Sequence, residues 1–118
     1  MGQRTTHIEP ALTRFAARLH DKIGASRVLL FGSYARGQAS RDSDYDIIVV
    51  SPQFDGVERL RRHMGLRQIW YEVGGHGPMD LICVTPEEFT WAQDRITLIA
   101  AVLPESIDLL PPVEATLS

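Results

Sequence analysis

Gly32-Ser33-Tyr34-Ala35-Arg36-Gly37-Gln38-Ala39-Ser40-Arg41-Asp42-Ser43-Asp44-Tyr45-Asp46 is the stretch that decides the fold. An apolar run precedes it: Arg27 to Gly32 (Arg-Val-Leu-Leu-Phe-Gly) reads as a buried strand. A second apolar run ends it, so that Asp44 to Val50 (Asp-Tyr-Asp-Ile-Ile-Val-Val) reads as the next strand. The last four residues of that strand are apolar without alternation, the pattern expected when both faces of a sheet are covered. Side chains alternate along a strand, so Asp44 and Asp46 project to one face. Two carboxylates side by side repel unless a cation lies between them. A hard divalent cation such as magnesium takes oxygen ligands and often keeps substrate phosphates in its shell. Gly32 lets backbone approach a ligand closely. Free N–H groups at a helix start bind anions, and the Ser33 hydroxyl adds a donor, so Gly32-Ser33 is a candidate cradle for phosphates. Arg36 or Arg41 can neutralise part of that charge, and a structural ion pair is an equal reading for Arg36.

Working outward, Glu9 to His20 has the apolar stripe of an amphipathic helix in Ala11, Leu12, Phe15, Ala16 and Leu19, with Pro10 in the first turn and Gly24 as C-terminal cap. After the Ser51-Pro52 break, Asp55 and Glu58 have capping-box spacing, which predicts a long helix carrying Leu60, Met64, Ile69 and Trp70 to about Gly74-Gly75. Met79 to Val84 is a third strand. Thr85-Pro86-Glu87-Glu88 starts a helix predicted to run to about Val102, and Ile107 to Leu110 suits a short edge strand stopped by Pro111-Pro112. The order predicts an α/β (α+β) domain, a small mixed sheet with helices packed on it, over residues 1–112, with 113–118 as a loose tail. Asp80 opens the third strand. If the second and third strands are neighbours, it lies beside Asp44 and Asp46 as a third carboxylate.

Two competing motifs fail by count. Gly32-x4-Gly37 begins like a P-loop, but Gln38-Ala39 stands where Lys-Ser/Thr is required. Asp42-x-Asp44-x-Asp46 begins like an EF-hand, but Ile47 and Gln53 occupy the positions that need glycine and glutamate. Asp42 then reads as a turn residue. His7, His20, His63 and His76 show no metal-ligand spacing. Cys83 falls on the strand face opposite Asp80 and reads as core. Arg59, Arg61, Arg62 and Arg67 read as a solvated helix face, and Trp70, Tyr71 and Trp91 as core or interface.

Glycine-serine, ten residues, then Asp-x-Asp resembles the signature of the polymerase-β-like nucleotidyltransferase superfamily. Gly-Ser-Tyr-Ala-Arg-Gly from Gly32, Ser43-Asp44-Tyr45-Asp46-Ile47 and the later Met-Asp-Leu-Ile-Cys-Val-Thr-Pro-Glu-Glu-Phe are similar to the minimal nucleotidyltransferases of prokaryotes. The resemblance covers roughly Val28 to Trp91. It implies that Asp44, Asp46 and Asp80 are catalytic and bind magnesium, two ions in all, while Gly32, Ser33 and Arg36 bind the nucleotide. The implied reaction moves a nucleoside monophosphate, AMP from ATP, to an acceptor hydroxyl. The resemblance also implies an antitoxin role with a helical HEPN-type toxin as acceptor. The alternative is a non-catalytic antitoxin that neutralises its partner by occlusion. A second domain is not expected, so a partner chain is expected to help hold the nucleobase.

The 118 residues suit one domain, and 44% hydrophobic with 23% charged residues suits a globular chain. A formal charge of −3 argues against non-specific grip on a nucleic-acid backbone, so nucleic acid is expected only through the partner. The lone Cys83 forms no internal disulfide, no apolar run is long enough to span a bilayer, and the start lacks a signal-peptide core. A cytoplasmic protein without membrane contact, with homo-oligomer formation left open, is the expectation.

Overall fold

The computed structural model describes residues 8–40 and 43–110. Helix α1 (Pro10–Ile23) leads into strand β1 (Arg27–Phe31) and, after the glycine-serine turn, strand β2 (Tyr45–Val50). Then come α2 (Leu66–Glu72), β3 (Met79–Val84), α3 (Pro86–Gln93), α4 (Leu98–Val102) and β4 (Ile107–Asp108). The sheet order is β3-β2-β1-β4. β1 runs antiparallel to β2 and β4, while β2 and β3 are parallel neighbours. The sheet is mixed, as expected.

Alternation sorts the strand residues between two cores. Val28, Leu30, Ile47, Val49, Met79 and Cys83 pack with α1 and α2. Leu29, Phe31, Ile48, Val50 and Val84 pack with Phe89, Ala92 and Ile99 of α3 and α4. Both faces of β2 are thus covered, which is why its apolar run does not alternate. Leu12, Phe15 and Leu19 of α1 are fully buried, each worth about 1.5–3 kcal/mol relative to exposure. Gly24 ends α1 in the left-handed region with its N–H on the His20 and Leu19 carbonyls. Trp70 of α2 meets Phe15 edge-on at 5.7 Å and donates its indole N–H to the Gly77 carbonyl.

Two helices are shorter than the sequence predicts. The segment from Asp55 is not one long helix: it is a short 3-10 turn (Arg59–Arg61), then α2 from Leu66. Gly65 is left-handed, at φ +87°, and breaks the helical path. Leu60 and Met64, 80% and 67% exposed, reach no core that would hold that path together. The Thr85 capping box does open α3, with both reciprocal bonds made, but α3 ends at Gln93 rather than near Val102. Thr97 causes the break. Its hydroxyl donates to the Ala92 carbonyl and accepts from the Ala100 N–H, closing one helix and capping the next. Ile96 lies in that break, fully exposed. The edge strand at Ile107 is present, with Pro111-Pro112 and the 113–118 tail outside the described residues.

Candidate active site

The β2–β3 register sets Asp46 directly opposite Asp80. Residues opposite one another in a sheet share a face, so both carboxylates lie on the side covered farther along by α3 and α4. On the other flank of β2, Asp46 is opposite Phe31, the last residue of β1, so the Gly32-Ser33 turn begins beside it. Three chain segments distant in sequence therefore meet at one end of the sheet. Asp44 lies just before β2, exposed, and its charge acts on Asp46.

Gly32 has a positive φ of 78°, and a Cβ there would fall on Asp46 Oδ2. The glycine thus provides both the turn and the space that the Asp46 carboxylate fills. The turn is a single tight one rather than the start of a regular helix. Arg36, Gly37 and Gln38 donate back to the carbonyls of Gly32, Tyr34 and Ser33. The N–H groups of Ser33, Tyr34 and Ala35 take no part in those bonds, which leaves an anion-binding arrangement like that of a helix start. Tyr34 anchors the turn by stacking on Tyr45 at 4.1 Å between ring centroids, and Tyr45 meets Trp70 edge-on. Burial and the neighbouring Tyr34 push the Tyr45 phenol up to about 12, so it stays a neutral packing group.

Partial burial raises the Asp46 pKa above the ordinary carboxylate value, and the charges of Asp80 and Asp44 raise it further, against a smaller lowering by Arg36. Burial is the larger cause, and the like charges of Asp80 and Asp44 add to it. The recess in front of Asp46 and Asp80 has a volume of about 440 Å³ and is lined also by Phe31, His63, Arg67 and Leu98.

A family model for the nucleotidyltransferase domain matches residues 12–117, nearly the whole chain. The chain belongs to the nucleotidyltransferase domain family. A protein adenylyltransferase, MntA, of Thermococcus cleftensis is 36% identical over 61 residues, a stretch that is 52% of this chain and 59% of the relative. The chain thus spans less than two thirds of that relative's length. Among solved structures, BolA1 from Arabidopsis thaliana superposes with a TM-score of 0.52 at 20% identity, covering 69% of this chain and 98% of that one. At that identity the likeness is one of fold alone. A Sulfolobus solfataricus protein assigned provisionally as a nucleotidyltransferase gives 0.48 at 21% identity, over 92% of this chain and 89% of that one.

The donors of the nucleotidyltransferase domain fit a hard divalent cation in kind. Asp46 and Asp80 offer carboxylate oxygens from adjacent strands, with Asp44 near enough to perturb Asp46. Among the described residues, no three histidine, cysteine or acidic side chains are already gathered tightly enough to hold a metal. Arg36, for which two readings were open, makes an ion pair with Glu105 at 2.9 Å and bonds Gln38, both near the surface. Arg41 and Asp42 lie outside the described residues.

The arginine cluster corrects the expectation of a solvated helix face. Arg59 and Arg61 are exposed, but Arg62 is 8% exposed and forks onto Glu88. Arg67 donates to the Met79 carbonyl at 2.8 Å, bracing the start of β3 one residue before Asp80. The sequence reading also missed His63 as a lining residue. No spacing rule links 63 and 67 to 46 and 80, because the bend at Gly65 brings them there. Trp70 is buried core, while Tyr71 and Trp91 are largely exposed.

Cys83 is buried on the face opposite Asp80, as alternation predicts. Burial pushes its thiol up to about 11, against a smaller lowering by Arg62. Folded protein at pH 8 is expected to resist iodoacetamide for hours and to react fully once denatured. Mass spectrometry of the alkylated chain measures this, and rapid labelling of the folded state would place Cys83 at an accessible site instead.

No helix among the described residues is long and apolar enough to cross a membrane.

Proposed function

We propose that this domain transfers AMP from ATP to a hydroxyl of a partner protein, with Asp44, Asp46 and Asp80 as its catalytic carboxylates. The observation that carries the proposal is the pairing of Asp46 with Asp80 across β2 and β3, beside the Gly32-Ser33 turn. Gly32 and Ser33 hold the β- and γ-phosphates through backbone N–H groups and the Ser33 hydroxyl. Arg36 stands at the far end of the same turn to offset phosphate charge, exchanging its exposed pairing with Glu105. The acceptor oxygen bonds to the α-phosphorus, the bridge to the β-phosphate breaks, and pyrophosphate leaves. Asp80 takes the acceptor's proton. The three aspartates would hold magnesium, two ions in the full arrangement, which neutralises charge on the phosphates and on the attacking and leaving oxygens.

A protein acceptor is supported by the name of the Thermococcus relative, and the minimal-nucleotidyltransferase resemblance points to a HEPN-type toxin in a cytoplasmic pair. Exposed Leu60, Met64 and Tyr71 favour a partner surface and support the second reading, neutralisation by occlusion. Incubation with α-labelled ATP, magnesium and the co-expressed partner is expected to label the partner. Labelling that persists in Asp44→Ala plus Asp46→Ala overturns the mechanism. Full neutralisation of the partner by that same double variant, with labelling lost, supports occlusion.

A further inference from the structure

Beside the carboxylate recess lies a second, larger cavity of about 610 Å³. The two share Ile82 and Leu98 in their walls, so they adjoin as two parts of a cleft along β3. Asp80, Ile82 and Val84 share a strand face, so the cleft extends about 13 Å from the carboxylate, at about 3.3 Å per residue. Its chemistry changes along that path. The carboxylate end is charged, whereas the far end is walled by Ile82, Val84, Leu98 and Ile99 and by Trp91, which is 56% exposed. Arg95 lies over the Trp91 ring at 4.4 Å, which steadies the indole at the cavity wall. Glu87 stands at the rim.

An exposed tryptophan over an aliphatic floor suits a flat aromatic ligand, since stacking on an indole is favourable and sequence-tolerant. We propose that this apolar cavity is the nucleobase subsite: the base stacks on Trp91 over Ile82 and Leu98 while its phosphates reach Asp46 and Asp80. The proposal rests on the transfer reading for the direction of the nucleotide. Glu87, an acceptor at the rim, favours a base with an exocyclic amino group over uracil.

Calorimetric titration with magnesium-ATP and with magnesium-triphosphate, which has no base, tests this in the full chain. Wild-type protein is expected to bind ATP at least tenfold more tightly than triphosphate. Trp91→Ala, at an exposed residue that lines only the far cavity, is expected to weaken ATP binding about tenfold while leaving triphosphate binding unchanged, and Leu98→Ala, in the wall of both cavities, is expected to weaken ATP binding as well. Equal affinity for the two ligands in wild type, or ATP affinity unmoved by both substitutions, overturns the proposal. So does an equal loss of both ligands in Trp91→Ala. Base-dependent binding that responds to Trp91→Ala in a protein that transfers no label sinks the catalytic reading and leaves the subsite standing.

Discussion

Asp46→Asn is expected to lower nucleotidyl transfer by roughly a thousandfold, the loss typical of removing a preorganised electrostatic contact to the reacting group, and to raise thermal stability in metal-free buffer. The first effect follows from its position between Asp80 and the Gly32-Ser33 turn. The second follows from the sign of its titration. Its folded pKa lies above the unfolded value of about 4, so ionisation costs the native state free energy. That cost is absent below pH 4 and grows as pH rises through the folded pKa. The Tm advantage of the variant should therefore appear at neutral pH and vanish in acid. Added magnesium should raise the wild-type Tm and leave the variant's almost unmoved. Calorimetric scans across pH, beside label-transfer rates, measure both. An inactive variant that is also less stable at neutral pH would mean that Asp46 is a structural acid.

Arg62→Ala carries the largest expected loss of stability, about 3 kcal/mol and a Tm fall of about 10 °C or more. The guanidinium is buried and donates to the Val57 and Cys83 carbonyls as well as to both Glu88 oxygens, the shorter contact being 2.6 Å. Its loss leaves those carbonyls unsatisfied and Glu88 half-paired at the α3 capping box. Arg62→Lys should recover little, because one ammonium cannot span four acceptors. The hydrogen bond from Arg62 holds the Glu88 carboxyl below its usual pKa, against partial burial that raises it. A depressed folded pKa gives stability that is present above the unfolded value, about 4.3, and lost as pH falls through the folded one. The stability difference between wild type and Glu88→Gln should therefore shrink as pH falls below about 4.3 and through the folded value. Urea melts at pH 7 and pH 3 check this, and a constant difference between them would detach the stability from the ion pair.

Much of this was legible in the residues. The two apolar runs around Gly32 to Asp46 located β1 and β2, and the Asp80 strand proved to be the parallel neighbour of β2. Period-two alternation placed Cys83 in the core and Asp80 on the other face, because both faces of the sheet are covered and a slip of one residue would bury a carboxylate. What was not legible depended on tertiary contacts. The capping-box spacing at Asp55 is real, but Gly65 and the absence of a core under Leu60 and Met64 overrode it. Thr97 carries two bonds that divide α3 from α4, and threonine in a helical pattern gives no advance sign of that choice. Arg62 looked like its exposed neighbours because nothing local distinguishes it. Only the arrival of Glu88 and the Cys83 carbonyl, 26 and 21 residues away, makes it a buried anchor.

The titration of the Asp46 carboxyl carbon, followed by NMR in wild type and Asp80→Asn with and without magnesium, probes the paired carboxylates most directly. The midpoint should lie above the ordinary carboxylate value in wild type, fall when Asp80 loses its charge, and fall again in wild type when magnesium is added. A midpoint indifferent both to residue 80 and to the ion would mean that the two acids do not share a site.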